Sequence, residues 1–174
     1  MGTIIYITGA PRCGKTTLAD KLINNNISVL SLDSLSKTVR SVFTDFKLYS
    51  GTVCIQPDMN RDRFLEFVNQ YAVNFFNDFP NHTLLIEGCH FTPDEFQKKF
   101  PDSKIICLGR TKTADDIVKA IMTKSWMADL SEKIIREYAG QIYNYSLTLK
   151  NSHYLYFETD EMDMAKINKH IFGR

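Results

Sequence analysis

The sequence predicts an α/β protein built on a parallel, doubly wound sheet, and three observations lead to this fold class. Short apolar runs, typical of strands, alternate five times with stretches whose apolar residues recur at helical spacing. One of these runs, TLLIEG, is compact and unbroken, as expected for a strand that is covered on both faces. A glycine-rich segment separates the first run from the first helical stretch. The length of 174 residues favours a single domain over 1–174.

Five strands are predicted from runs rich in β-branched and apolar residues. They are Thr3–Thr8, the run ISVLSLD that ends at Asp33, and the runs TLLIEG, KIICLG and HYLYFETD. A helical stretch follows each run. Consecutive strands are therefore expected to lie parallel in a doubly wound sheet.

The predicted helices differ in how clearly the sequence marks them. The first follows the glycine-rich segment and ends near Leu22, and the second covers 34–46. An aromatic face over 64–79 predicts a long helix packed on the core. Thr92, Pro93 and Glu95 form the pattern of a capping box at the start of another helix. Helices over 114–121 and 134–149 and a last one through Ile171 complete the chain.

Two segments are expected to serve a bound substrate. The region around 34–79 contains a long loop and is predicted to be an insertion on the acceptor side. The segment TKSWMADLS interrupts the helical pattern, and a short lid is predicted around 124–131.

The composition excludes several classes of partner. The net charge is +1 and the basic residues are scattered, so neither a nucleic acid nor a membrane surface is expected as a partner. No apolar run approaches the roughly 18 residues of a membrane span. The four cysteines are dispersed and form no zinc pattern, which favours a reducing, cytoplasmic location. A monomer or a homodimer is expected.

The segment GAPRCGKT matches the phosphate-binding pattern G-x-x-x-x-G-K-[ST], known as Walker A, in full. Backbone N–H groups of such a loop and the positive end of the next helix surround a polyphosphate. Lys15 is expected to contact the β- and γ-phosphates, and the Thr16 hydroxyl to bind Mg²⁺. The predicted nucleotide-binding residues of this segment are Gly9, Ala10, Pro11, Arg12, Cys13, Gly14, Lys15, Thr16 and Thr17. Cys13 is either a thiol of lowered pKa or a small loop residue without a redox role.

Charged residues follow three of the predicted strands. Asp33 and Glu87 end two apolar runs, and Arg110 follows a third. Ligands of parallel sheets bind at the carboxyl ends of the strands, where these residues are expected. A carboxylate there suits a Mg²⁺ ligand or a base for a hydroxyl nucleophile. The alternative for each residue is a helix cap or a surface ion pair.

The order of these features resembles the small P-loop kinases, which include nucleoside monophosphate, gluconate and shikimate kinases. The resemblance implies a three-layer P-loop fold with a five-stranded parallel sheet and helices on both faces. It also implies transfer of the γ-phosphoryl group of ATP to a small acceptor, with Mg²⁺ as cofactor. Lys15, Asp33 and Glu87 would be the catalytic residues, and Arg110 would join the nucleotide site. Asp33 matches the acid that activates the acceptor or, with Thr16, holds Mg²⁺, and Glu87 matches a Walker-B-like acid or a substrate ligand.

The sequence departs from this family at its arginines. Lids in the family present arginines to the transferred phosphate, whereas the predicted lid region offers only Lys124 and, further on, Arg136. Arg40, Arg61 and Arg63 lie where acceptor-binding arginines occur in nucleotide-accepting members, although a solvated helix face explains them equally well. Arg40 is seven residues beyond Asp33, a spacing that disfavours a standard adenylate kinase.

Several functions therefore stay open at the level of sequence. A GTPase is disfavoured because the guanine-binding pattern N-K-x-D is absent. A phosphotransferase acting on a small metabolite hydroxyl is favoured slightly over a nucleoside monophosphate kinase, because Asp33 suits a base. The alternative from another class is a nucleotide-binding regulatory protein without transfer activity, suggested by the few lid arginines.

Overall fold

The computed structural model describes residues 2–46, 60–111, 113–122 and 131–173. Nearly all of the predicted lid, including Lys124, lies outside these ranges. Most of the long loop in the predicted acceptor-side insertion lies outside them as well.

The strands form one five-stranded sheet in the order β2-β3-β1-β4-β5, and every pairing is parallel. This confirms the predicted fold class. The strands are β1 (Thr3–Gly9), β2 (Ile27–Ser31), β3 (Thr83–Glu87), β4 (Lys104–Gly109) and β5 (Leu155–Glu158). The central strand β1 and its neighbour β3 contain consecutive residues with no exposed surface, such as Ile5, Tyr6 and Ile7. Because successive side chains point to opposite faces, both faces of the sheet are covered.

Helices connect the strands and provide that cover. They are α1 (Lys15–Leu22), α2 (Leu32–Val42), α3 (Arg61–Asp78), α4 (Pro93–Lys99), α5 (Ala114–Met122), α6 (Glu132–Lys150) and α7 (Met164–Phe172), with a short 3₁₀ turn over Thr159–Glu161. The aromatic helix α3 buries Phe64, Val68, Ala72 and Phe75. Tyr71 and Phe79, predicted on the same face, are 40% and 45% exposed. None of the described helices is long and apolar enough to cross a membrane.

The start of α4 is the local prediction that the structure confirms most fully. The Thr92 hydroxyl accepts a hydrogen bond from the Glu95 N–H at 3.2 Å, and the Glu95 carboxylate accepts one from the Thr92 N–H at 2.8 Å. Both bonds satisfy N–H groups that have no partner within the helix. Pro93 occupies the first turn, where its missing N–H costs nothing.

The predicted boundary between β2 and α2 is wrong by two residues. The strand ends at Ser31 and the helix already includes Leu32 and Asp33. Leu32 extends the apolar run of β2 in the sequence, but its fully buried side chain packs beside Gly88 from the first turn of the helix. Asp33 is therefore a helical residue and does not end a strand.

Candidate active site

The carboxyl ends of the strands bring the predicted site residues to one edge of the sheet. Glu87, the last residue of β3, is paired with Ile7 of β1 on one side and Ser31 of β2 on the other. Gly9, the last residue of β1, is paired with Leu108 of β4. The loop after β1, the start of α2 and the end of β3 are therefore adjacent at this edge.

Backbone geometry explains the two glycines of the loop. Gly9 has φ +152°, and a Cβ atom there would lie 2.1 Å from the Leu108 carbonyl oxygen. Gly14 precedes α1 in a left-handed conformation with φ +79°. Residues other than glycine rarely adopt either of these backbone conformations.

Arg12 also has a left-handed conformation, with φ +67°, although it is not a glycine. Such a conformation costs about 1–2 kcal/mol and needs support from its surroundings. The Arg110 guanidinium donates a hydrogen bond to the Arg12 carbonyl at 3.2 Å and lies 3.5 Å from the Asp160 carboxylate. Arg110, predicted to bind nucleotide, therefore also holds the corner of the loop.

Lys15 lies inside the loop that it follows. Its ammonium group donates hydrogen bonds to the carbonyl oxygens of Gly9 at 3.0 Å and Ala10 at 2.9 Å, and the residue is buried. No acidic residue lies in the first turn of α1, whereas each of α2 to α6 has one there. The positive end of the α1 dipole is thus left for another anion.

The remaining loop residues differ in exposure. Thr16 and Thr17 are exposed in the first turn of α1, and Pro11 is half-buried. Cys13 is fully buried, and burial raises the pKa of its thiol although the Lys15 charge acts in the opposite direction. The interpretation of Cys13 as a thiol of lowered pKa is therefore wrong, because desolvation outweighs the nearby cation.

Asp33 and Glu87 are two carboxylates in opposite environments. The Asp33 side chain is 69% exposed, at the second position of α2, and makes no capping hydrogen bond. The alternative that Asp33 serves as the cap of the helix is therefore wrong, since Ser31 holds that position. Glu87 is 4% exposed, and its carboxylate oxygens are not among the buried side-chain atoms that lack a hydrogen-bond partner. A largely buried carboxylate at the carboxyl end of a strand beside β1 marks a candidate functional group.

The structure adds His90, a residue that the sequence did not single out. It lies three residues after Glu87, its side chain is only 13% exposed, and its Nε2 atom is 3.8 Å from a carboxylate oxygen of Asp33. Burial lowers the pKa of the His90 imidazole. The Asp33 charge opposes this shift, while the charges of Lys15, Arg40 and Arg61 add to it. His90 is therefore close enough to all four residues to feel their charges. Its position shortly after the end of a strand was the one signal in the sequence, and that position does not distinguish His90 from its neighbours.

The predicted arginines fall into different surroundings. Arg40 is half-buried on α2 and donates to the Ser36 carbonyl at 3.3 Å. Arg61, at the start of α3, pairs with Glu95, and its side chain is 13% exposed. Both are on the helices that flank His90.

The side chains of Arg63 and Arg136 form ion pairs with other acidic residues. The Arg63 guanidinium lies 5.4 Å from the ring centres of Phe43 and Phe46 and 3.3 Å from the Asp45 carboxylate. Arg136 is exposed on α6 and contacts Glu132 at 2.9 Å and Asp115 at 3.5 Å. The structure therefore does not bring these two arginines together with His90 and Asp33.

Comparisons with known proteins give the fold but no family. No family model matches the chain, and no curated protein matches it. A shikimate kinase from Bacteroides thetaiotaomicron has a TM-score of 0.56 at 18% identity, over 97% of this chain and 94% of that one. The fold is that of the small P-loop kinases.

Two further solved structures agree with this fold. A gluconokinase from Sinorhizobium meliloti 1021 has a TM-score of 0.55 at 9% identity, covering 99% of this chain and 90% of its own. A tunicamycin resistance protein from Deinococcus radiodurans has a TM-score of 0.59 at 14% identity, covering 99% and 95%. These likenesses extend along nearly the whole of each chain.

Proposed function

We propose that the protein is a phosphotransferase that moves the γ-phosphoryl group of ATP to a hydroxyl group of a small molecule. One observation supports this most directly. The glycine-rich loop with its buried Lys15 lies at the same edge of the sheet as the exposed Asp33 and the buried Glu87. The kinase fold of the structural neighbours is consistent with this chemistry.

The loop residues Gly9–Thr17 are the proposed phosphate site. Their backbone N–H groups and the unneutralised start of α1 would bind the β- and γ-phosphates. The Lys15 ammonium now bonds to two loop carbonyls and would turn to the phosphates when they bind. Arg110 directly follows β4, and its guanidinium contacts the loop at the Arg12 carbonyl. It would lie beside the base and ribose of the nucleotide.

The donor set at this edge fits Mg²⁺. The described residues contain no cluster of three or more His, Cys, Asp or Glu side chains. A single hydroxyl and one or two carboxylates suit Mg²⁺, which keeps several waters and binds phosphate oxygens. The Thr16 hydroxyl and the Glu87 carboxylate would hold the ion, which leaves Asp33 free to face the acceptor. When bound, it would neutralise negative charge on the phosphates.

Asp33 is the proposed base, because it is the exposed member of the two carboxylates. A lone pair of the acceptor hydroxyl forms a bond to the γ-phosphorus. The bond from that phosphorus to the bridging oxygen breaks, and its electron pair stays on ADP. The hydroxyl proton passes to the Asp33 carboxylate and from there to water.

Arg40 and Arg61 are proposed to face the acceptor, since both lie near His90 and carry positive charge. They favour an acceptor that carries a carboxylate or a phosphate group. A nucleoside monophosphate satisfies the same requirement and is the second candidate acceptor. The roles predicted for Arg63, Lys124 and Arg136 and for a lid around 124–131 stay predictions.

A nucleotide-binding regulator without transfer activity is the alternative from another class. The observation that favours it is the position of Arg136, whose guanidinium is occupied by Glu132 and Asp115. A regulator would bind ATP without turning it over.

The deciding experiment measures ADP formation from Mg·ATP with and without candidate acceptors. The panel contains sugar acids, phosphorylated hydroxy acids, nucleosides, nucleoside monophosphates and aminoglycosides. We expect an acceptor that is negatively charged to increase the rate of ADP formation. Tight ATP binding with no stimulation by any compound in the panel would favour the regulator.

A further inference from the structure

The Asp33 side chain is accessible, but few contacts fix its conformation. A base must be oriented toward the acceptor hydroxyl. Its side chain is exposed and makes no hydrogen bond to the start of its own helix. Among the described residues, its one ionisable neighbour within 4 Å is His90. An exposed carboxylate populates several rotamers, whereas catalysis needs one of them.

His90, in contrast, is held from two sides. The hydroxyl of the fully buried Tyr6 donates a hydrogen bond to the Phe91 carbonyl at 3.0 Å and lies 3.4 Å from the Gly88 carbonyl. This fixes the backbone on both sides of the histidine. Its ring packs against Phe64 of α3 with ring centres 5.3 Å apart. The imidazole is therefore a well-held group next to an exposed carboxylate.

The two ring nitrogens of His90 have different surroundings. Nδ1 is buried and has no hydrogen-bond partner among the described residues, while Nε2 faces the Asp33 carboxylate. A lone pair on Nε2 would face the negative carboxylate, whereas an Nε2–H group is attracted to it. The favoured tautomer carries its proton on Nε2, directed at Asp33. In this tautomer Nε2 already carries a proton and Nδ1 is buried. Neither nitrogen can therefore accept the proton of the acceptor hydroxyl.

We propose that His90 is a positioning residue that selects the working rotamer of Asp33 through an Nε2–H···carboxylate hydrogen bond. The bond closes by a small rotation of the exposed carboxylate from its present 3.8 Å. This inference rests on the proposed function, in which Asp33 receives the proton of the acceptor. The role of His90 is to reduce the conformational freedom of that carboxylate before the acceptor binds.

Two substitutions test the proposal because they preserve different nitrogens. In His90→Gln the amide nitrogen can take the position of Nε2. In His90→Asn it can take only the position of Nδ1. We expect His90→Asn to lower kcat by about 10–100-fold with the KM for ATP unchanged, and His90→Gln to stay within about threefold of the original protein. Thermal unfolding of both variants checks that they fold. His82→Asn, at the opposite end of β3, is the control and should leave kcat unchanged.

A second readout does not depend on turnover. Nitrogen-15 chemical shifts of the imidazole should show His90 protonated on Nε2, and Asp33→Asn should shift that resonance and leave His82 unchanged. A proton on Nδ1, or equal kcat values for the Gln and Asn variants, would overturn the proposal. Absence of turnover with every acceptor would count against the proposed function instead, while the imidazole shifts would still decide whether His90 holds Asp33.

Discussion

The hydroxyl oxygen of Thr159 lies 3.1 Å from the carbonyl oxygen of Cys13 in the phosphate loop. The same hydroxyl lies 3.1 Å from the carbonyl oxygen of Gly109 at the end of β4. One side chain just after β5 thereby links the loop to the neighbouring strand. Together with the contact of Arg110 to Arg12, this link holds the loop on the side away from Asp33.

We predict that Thr159→Val destabilises the protein and weakens nucleotide binding. Valine keeps the shape of threonine but removes the shared hydroxyl proton, which leaves the two carbonyl groups without this donor. The free energy of unfolding should fall by about 1–3 kcal/mol. Urea unfolding and calorimetric titration with Mg·ATP measure the two effects. Thr159→Ser keeps the hydroxyl and should remain near the original protein in both. Equal behaviour of the two variants would show that the hydroxyl does not support the loop.

Three glycines should respond to alanine in three different ways. Gly9→Ala places a Cβ 2.1 Å from the Leu108 carbonyl oxygen and should cost more than about 3 kcal/mol or prevent folding. Gly14→Ala meets no atom closer than 3.5 Å, so only its left-handed backbone opposes it, at about 1–2 kcal/mol. Gly140→Ala, inside α6 with open space around it, should stabilise the protein by about 0.5–1 kcal/mol. Urea unfolding of the three variants checks this order, and a Gly9→Ala protein as stable as the original would contradict the loop geometry.

Glu87→Gln should lower activity while changing stability little. The amide keeps the shape of the carboxyl group at this largely buried position but removes the negative charge that would hold Mg²⁺. The value of kcat should fall by about 100-fold or more, while the midpoint of urea unfolding stays near that of the original protein. Glu66→Gln, at an exposed ion pair with Lys99, is the control and should leave stability and kcat nearly unchanged. A Glu87→Gln protein that is both less stable and fully active would assign Glu87 a structural role.

Asp33→Asn should lower turnover strongly and stability hardly at all. The carboxylate is exposed and caps no helix, so its loss removes little beyond a favourable charge in the first turn of α2. If Asp33 is the base, kcat should fall by at least about 100-fold. Asp20→Asn, at an exposed acid on α1, is the matched control for kinetics and thermal unfolding. Unchanged kcat in Asp33→Asn would remove Asp33 from the mechanism.

The parts of the fold that could be predicted from sequence are those that local chemistry determines. Short runs rich in apolar and β-branched residues predicted the five strands, because the strands of a sheet covered on both faces are mostly apolar. The capping box of Thr92 and Glu95 was predictable because its hydrogen bonds join residues three apart. The start of α2 was not predictable, because Leu32 continues the apolar run of β2 in the sequence. Only the fold shows that Leu32 packs beside Gly88.

The candidate site divides in the same way. The glycine-rich loop was predictable because one continuous segment contains its donors, its lysine and its turn residues. His90 and Thr159 were missed because neither belongs to a local pattern. Each becomes important through a contact across the sheet edge, His90 with Asp33 and Thr159 with Cys13. The separation of Arg63 from the site likewise depends on three aromatic rings brought together by folding.

Acceptor-stimulated ADP formation by Lys15→Ala is the sharpest test of the glycine-rich loop as the site of phosphoryl transfer. Lys21→Ala, in the last turn of the same helix, is the matched control because it removes an exposed lysine far from the loop. We predict that Lys15→Ala folds normally and loses nearly all stimulated ADP formation, while Lys21→Ala retains it. Turnover by Lys15→Ala close to that of Lys21→Ala would contradict the assignment of this loop as the site of phosphoryl transfer.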